Sequence, residues 1–261
     1  RPLNIPGAEH IFQVNDIEAY ELFYAKIAGK RRVAIIGSGL IGVEFAHDLA
    51  YAGYEVTMLS QSAAALVNLV PESVGSRVRS HLESMGVRWL EVTAVHNCQR
   101  EGDGYRLQAV DLPDVVVDVV LAAVGLVPNI GVEVPGVSCD HGGYDTDVYA
   151  QTGCKDVFAI GDCAVVDGLH LTYVAPIKQQ TKALAMTLLG ERTAVHYPAM
   201  PVVIKTPTLP LTLVPVRGQC QGSWQDITVE DNRIVSAFYD SDKVLRAFVL
   251  CGEATVDRAV W

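Results

Sequence analysis

Three glycines, Gly37, Gly39 and Gly42, stand in the spacing G-x-G-x-x-G directly after the apolar run Val33–Ile36. The spacing is meaningful only between a strand and a helix, and a helical stretch from about Leu40 to Ala52 follows here. In such a turn Gly37 permits the tight bend and Gly39 lets a pyrophosphate approach the backbone. Gly42 allows helix and strand to pack closely. Unpaired N–H groups at the helix start then face the phosphate oxygens, so the turn offers dinucleotide binding.

The acidic residue that often follows about twenty residues later, at the end of the second strand, is missing. Ser60 and Gln61 hold that place, and either can hydrogen-bond a ribose hydroxyl. The loop from Ser60 to Pro71 contains no Arg or Lys to meet a 2′-phosphate, which favours NADH over NADPH by default. Glu44, two residues after the last glycine, admits two readings: a charge favoured by the helix dipole, or a functional carboxylate.

A second group of interest is Gly161-Asp162, after the run Val157–Ile160. That run reads as a short buried strand, which would deliver Asp162 to a strand C-terminus, where open α/β sheets bind ligands. The six cysteines form no C-x-x-C pair and no zinc spacing, and read as scattered reduced thiols. Cys163 reads as a structural thiol and His47 as a packing or surface residue rather than a ligand.

The elements that must position these residues follow from pattern. A first helix is expected after Asn15, with Glu18 completing a capping box and Gly29 closing the C-terminus. Val33–Ile36 and Tyr54–Leu59 are strands flanking the glycine turn and its helix, a βαβ unit. A second helix runs from Pro71, at its first position, to Met85, and Val87–Val92 is the third strand. Residues 94–118 alternate as an antiparallel meander, and Asp118–Val124 is a further apolar strand. A helix is expected from near Pro176 to Leu189. The stretch from Met200 to Cys251 carries four prolines and β-rich runs at Ile227–Val229 and Ile234–Tyr239, the marks of a small sheet domain.

Composition narrows the class. A net charge of −10 argues against nucleic acid, which needs clustered cations. The longest apolar run, Val115 to Pro128, is interrupted by Asp118 and is too short to span a membrane.

Taken together, these elements resemble the FAD-dependent pyridine-nucleotide-disulfide oxidoreductases. Thr152 to Asp162, TGCKDVFAIGD, is similar to the family's second flavin motif, and about a hundred residues separate it from the glycine turn in the family's order. AAVGLVPN, with Gly125, resembles the return from the nucleotide domain to the flavin domain. The passages HDLAYAGYEVT, GDCAVVDGLHLTYVAP and MPVVIKTPTLPLTLVPV are similar to the branch that reduces rubredoxin. The resemblance implies FAD and NADH as cofactors. It implies that Glu44, Asp162, Val174 and Lys205 line the flavin, with Asp162 on the ribityl hydroxyls and Val174 contributing backbone, and Gly161 is a further cofactor-binding position of the second motif. Lys205 also reads as a solvated lysine, and Val174 as plain core.

The expected fold is α/β. A Rossmann-like NAD domain is inserted in an FAD domain whose first half, with its own glycine turn, is missing from the sequence. A small C-terminal α+β domain follows. The expected boundaries are a connecting segment at 1–30, the nucleotide domain at 31–125, the second flavin segment at 126–197 and the C-terminal domain at 198–261. The expected activity is transfer of electrons from NADH through FAD to rubredoxin or a similar small iron carrier, in the cytoplasm, by the intact protein. Rubredoxins are acidic by the same resemblance, so docking asks for a local basic patch, with Lys205, Arg217 and residues of the missing segment as candidates. Rival readings are an NADH oxidase, a ferredoxin- or nitrite-reductase component, or a non-catalytic nucleotide-binding regulatory module.

Overall fold

The computed structural model describes residues 1–110 and 112–261. It divides into two compact units. One comprises residues 1–125, 203–215 and 223–261; the other comprises 126–202 and 216–222.

The first unit is built on a parallel sheet. Strands β1 (Arg32–Ile36), β2 (Glu55–Ser60), β3 (Arg88–Glu91) and β7 (Val119–Ala122) lie in the order β3-β2-β1-β7. Strand β1 is central and pairs in parallel with β2 and β7. Its residues Val33–Ile36 are buried on both faces, as a strand covered twice must be. Helix α2 (Leu40–Tyr51) packs on β1 and β2, and α3 (Glu72–Ser84) packs on β3. Against alternate residues of the sheet, Ala34, Ile36, Leu59, Val120 and Ala122, packs an antiparallel meander. Its strands are β4 (Val95–Glu101), β5 (Gly104–Ala109) and β6 (Val115–Val117), which supply Cys98, Leu107 and Val117.

The helix starts differ in detail from the sequence reading. Helix α1 (Ile17–Ile27) is capped by Asp16, not Asn15; the Asp16 carboxylate accepts from the Ala19 N–H at 2.7 Å. The cap must sit three residues before the N–H it satisfies, and Asp16 fills that place with extended backbone. Pro71 is likewise the residue before α3 rather than its first helical residue.

The C-terminal residues form a five-stranded antiparallel sheet. Strands β10 (Val202–Ile204), β11 (Leu211–Val214), β12 (Gly222–Glu230), β13 (Arg233–Asp240) and β14 (Leu245–Gly252) run in the order β10-β11-β14-β13-β12. Val214, Val235, Phe248 and Leu250 pack around Ala254 with Trp261 against them. Residues 203–215 and 223–261, which hold all of this sheet except Val202 and Gly222, belong to the same compact unit as the parallel sheet. Ser73 on α3 donates to Asp226 at 2.9 Å, and Arg77 donates to Asn232 at 3.3 Å. His47 on α2 and His81 on α3 both place Nε2 2.7 Å from the Thr208 hydroxyl. His47 is thus a buried packing residue.

The second unit carries the parallel pair β8 (Tyr144–Thr146) and β9 (Ala164–Val166), and helix α4 (Val174–Leu188). Val157–Ile160 is not a buried strand. It makes one isolated bridge, Gln151 with Phe158, and its residues are half-buried along an open apolar cavity of about 360 Å³. A four-residue apolar run does not by itself distinguish a strand from a cavity wall. The regular strand in this region, β9, begins after Asp162, so Asp162 precedes a strand instead of ending one. No helix among the described residues is long and apolar enough to cross a membrane.

Asp118, at the entry to β7, gives the first unit an acid-sensitive clamp. Its carboxylate accepts the backbone N–H groups of Arg31 and Arg32 at 3.0 and 2.8 Å, and the Arg32 guanidinium at 2.6 Å. The Arg32 hydrogen bond comes first among the causes that hold this carboxyl down at about 2, against an ordinary 3.8. A lowered folded-state value means stability that is complete above the ordinary value and lost as pH falls from there through the folded one. Asp118→Asn should therefore lower the urea midpoint at pH 7, and the difference from wild type should close between about pH 4 and pH 2. A difference that stays constant across that window would refute the clamp.

Candidate functional site

The glycine turn shows which of its glycines is structural and which is open. Gly37 has φ +104°, and a Cβ there would stand 2.5 Å from the Ala123 carbonyl oxygen. A Cβ on Gly42 would lie 2.0 Å from the Gly37 carbonyl oxygen, so helix and turn are in direct backbone contact. At Gly39 nothing lies within 4 Å of a Cβ position. Gly39 is also the residue before α2, with no side-chain cap, so the first N–H groups of that helix are not shared with a side chain. A cradle closed behind by Gly42 and open in front at Gly39 fits a pyrophosphate.

Ser60 ends β2 and is buried. Its hydroxyl lies 2.7 Å from that of Ser38 in the glycine turn, donates to the Ser62 carbonyl at 2.9 Å and accepts the Ser62 N–H at 3.1 Å. Its hydroxyl is thus engaged by both the glycine turn and the loop after β2. Gln61 is exposed, with its amide nitrogen donating to Thr93 O at 3.0 Å. The loop has no cation of its own, but Arg79 from α3 reaches it and donates to Ala63 O at 2.8 Å.

Glu44 is the fifth residue of α2, beyond the first turn, so it does not serve the helix dipole there. Its carboxylate accepts the backbone N–H of Lys205 at 2.8 Å. The structure thus joins two residues that the sequence places 161 positions apart, and leaves Lys205 exposed. Gly125 follows β7 with φ +98° and open space at its Cβ position.

In the second unit, Gly161 has φ +84° and open space at its Cβ position, and its N–H donates to the side-chain oxygen of buried Gln180 at 2.7 Å. Gln180 in turn donates to the Tyr197 hydroxyl at 2.9 Å. The Asp162 side chain is exposed, while its backbone carbonyl lies 2.8 Å from His170 Nε2. Val174 opens α4 and is exposed rather than core; no side chain caps that helix start. An exposed carboxylate, an open glycine and an uncapped helix start suit a ligand bearing hydroxyls and partial negative charge. Arg217 is not a surface cation. Its guanidinium donates to the carbonyls of Tyr197, at 2.7 Å, and Pro198. Cys163 is half-buried, with its thiol toward Ile160 O at 3.4 Å. No group of three metal-ligating side chains occurs among the described residues.

The pyridine nucleotide-disulphide oxidoreductase model matches residues 1–185. The chain belongs to that family. A model of the rubredoxin binding C-terminal domain matches residues 194–261. Among family members, the rubredoxin-NAD(+) reductase of Acinetobacter baylyi is 40% identical over 250 residues, covering 94% of this chain and 63% of that protein. The nitric oxide reductase FlRd-NAD(+) reductase of Salmonella gallinarum is 36% identical over 246 residues, covering 94% and 65%. The chain therefore spans just under two thirds of the length of these family members. Two solved structures share the family's Rossmann-like fold. The putidaredoxin reductase–putidaredoxin complex matches with a TM-score of 0.88 at 19% identity, over 100% of this chain and 65% of that one. A ferredoxin reductase from Rhodopseudomonas palustris matches with a TM-score of 0.84 at 21% identity, over 99% and 66%.

Proposed function

We propose that the whole protein is a flavoprotein reductase that carries electrons from NADH through FAD to rubredoxin. The observation that carries this reading is the succession in one chain of an oxidoreductase match and a rubredoxin-binding match, over a glycine turn that is open only at Gly39. When bound, FAD supplies hydride acceptance and one-electron release.

The chain's own residues do the rest. Gly37, Gly39 and Gly42 hold the pyrophosphate of NADH, with the first N–H groups of α2 on its oxygens. Gly125 lets the chain turn away after β7. Gly161 brings backbone close to the flavin, and Asp162 accepts hydrogen bonds from its ribityl hydroxyls. The uncapped start of α4 at Val174 favours negative charge on the bound ring. Glu44 positions Lys205 by its backbone and leaves the ammonium group for an acidic carrier. Ser60 holds the end of β2 to the glycine turn. No side chain is required as a general acid or base. The domains corresponding to these roles are 31–125 for NADH, 126–197 for FAD and 198–261 for the carrier. A cytoplasmic location accords with six free cysteines.

The test is the visible spectrum of the whole protein under anaerobic conditions. A flavin band that bleaches with NADH and recovers on adding oxidised rubredoxin is expected. Recovery with oxygen but not rubredoxin would make it an NADH oxidase. Absence of flavin, or flavin that NADH does not reduce, would leave a nucleotide-binding regulatory module.

A further inference from the structure

We infer that Glu91, held by Arg79, is the residue that selects NADH over NADPH; the inference rests on the reading that residues 31–125 bind a nicotinamide dinucleotide. The place where an acidic residue would meet the adenosine ribose, the end of β2, is taken by Ser60, whose hydroxyl is already engaged. Glu91 ends the adjacent strand. In the parallel register Ser60 pairs with Glu91, so the two stand about 5 Å apart on the same edge of the sheet. Ser60 touches Ser38 of the glycine turn, so that edge is continuous with the phosphate cradle. The Glu91 side chain is half-exposed, as a ribose contact needs.

Arg79 fixes this carboxylate. One guanidinium nitrogen donates to Glu91 Oε1 at 2.7 Å and to Ala63 O at 2.8 Å, while Nε donates to Glu83 Oε1 at 3.0 Å. The guanidinium also lies over the Trp89 ring, 5.5 Å from its centroid, and the Trp89 N–H reaches Ser62 O at 3.3 Å. The only cation that reaches the 60–71 loop among the described residues is therefore neutralised by two carboxylates. Arg79, Glu83 and Glu91 together sum to one negative charge. The remaining Glu91 oxygen accepts a ribose hydroxyl. A 2′-phosphate would bring about two further negative charges to the same place and meet repulsion. The specificity of the site thus comes from a cation that is present but occupied.

The test is equilibrium binding of NADH and of NADPH, followed by calorimetry, to the full chain with any bound flavin reduced beforehand under anaerobic conditions, so that no hydride passes. Wild type should prefer NADH. Glu91→Gln frees Arg79 for a phosphate and removes one repulsive charge, so the NADPH-to-NADH Kd ratio should fall by about tenfold or more. Adding Arg79→Ala should remove that gain. Arg79→Ala alone should widen the wild-type preference, because two bare carboxylates then face the phosphate. Thermal melts of each variant check folding, and the two single variants move the ratio in opposite directions, which a general loss of fold cannot do. An unchanged ratio in Glu91→Gln with NADH still bound would overturn this inference alone. Failure of wild type to bind either nucleotide would overturn it together with the functional reading.

Discussion

Gly42→Ala should lose both stability and NADH binding, whereas Gly39→Ala should lose binding while the fold stays intact. The two glycines sit three residues apart, yet the space around them differs. A methyl group on Gly42 would fall 2.0 Å from the Gly37 carbonyl oxygen and 3.4 Å from the Ala123 side chain. Either α2 moves away from the sheet or the turn opens. Overpacking of this kind costs about 1–3 kcal/mol. In a domain of this size that lowers the melting temperature by roughly 3–10 °C. At Gly39 the methyl group meets no protein atom, and φ is −75°, which alanine adopts freely. Alanine is a poorer helix cap than glycine but loses less chain entropy on folding, so the net change should stay within about 1 kcal/mol. Its methyl would occupy the space assigned to the pyrophosphate, and NADH affinity should drop at least about tenfold. Melting curves and NADH titrations of both variants decide the matter. Equal NADH affinity in Gly39→Ala and wild type would show that phosphate does not sit there.

Gln180→Leu should weaken flavin binding, and Gln180→Glu should restore it. Gln180 is 1% exposed and is the link between Gly161 and Tyr197. Leucine leaves the Gly161 N–H and the Tyr197 hydroxyl without those partners, at a cost of about 1–3 kcal/mol. The turn that presents Asp162 would then lose the bond that fixes it. Glutamate can still accept from both the Gly161 N–H and the Tyr197 hydroxyl. A flavin titration of the whole protein should show affinity reduced by about tenfold or more for leucine and near wild type for glutamate. If leucine binds flavin as well as wild type does, the Gly161 turn is held by other means.

Local features were legible in the sequence because local rules govern them. The run Val33–Ile36, the glycine turn and strand β2 follow one another within thirty residues, and period and glycine chemistry suffice to read them. The meander and the C-terminal strands were legible for the same reason. What escaped depends on partners distant in sequence. The engagement of Ser60 follows from Ser38, twenty-two residues away and on another element. Arg79 and Glu83 show a legible helical spacing, but Glu91 joins them only through the packing of α3 on β3. Nothing in the order of residues links Glu44 to Lys205, and only the fold reveals that Arg217 is spent on carbonyl groups. Val157–Ile160 failed for a different reason: an apolar tetrapeptide satisfies a strand and a cavity wall equally well.

The bond between Glu44 and Lys205 also sets a timetable for biosynthesis. Helix α2 leaves the ribosome first, and the residues that cover it at Glu44 and His47 emerge 161 residues later. At about 5–20 residues per second, that is an interval of roughly 8–30 seconds. During it the nascent parallel sheet can form, while the face of α2 destined for residues 205–208 waits uncovered. Such long-range closure is the slow part of folding, since its loop entropy is lost before the contact forms. The dinucleotide turn therefore reaches its final support only after a further 161 residues have been made, and a ribosome stalled within the second unit would hold a nascent protein whose nucleotide helix is still half-bare.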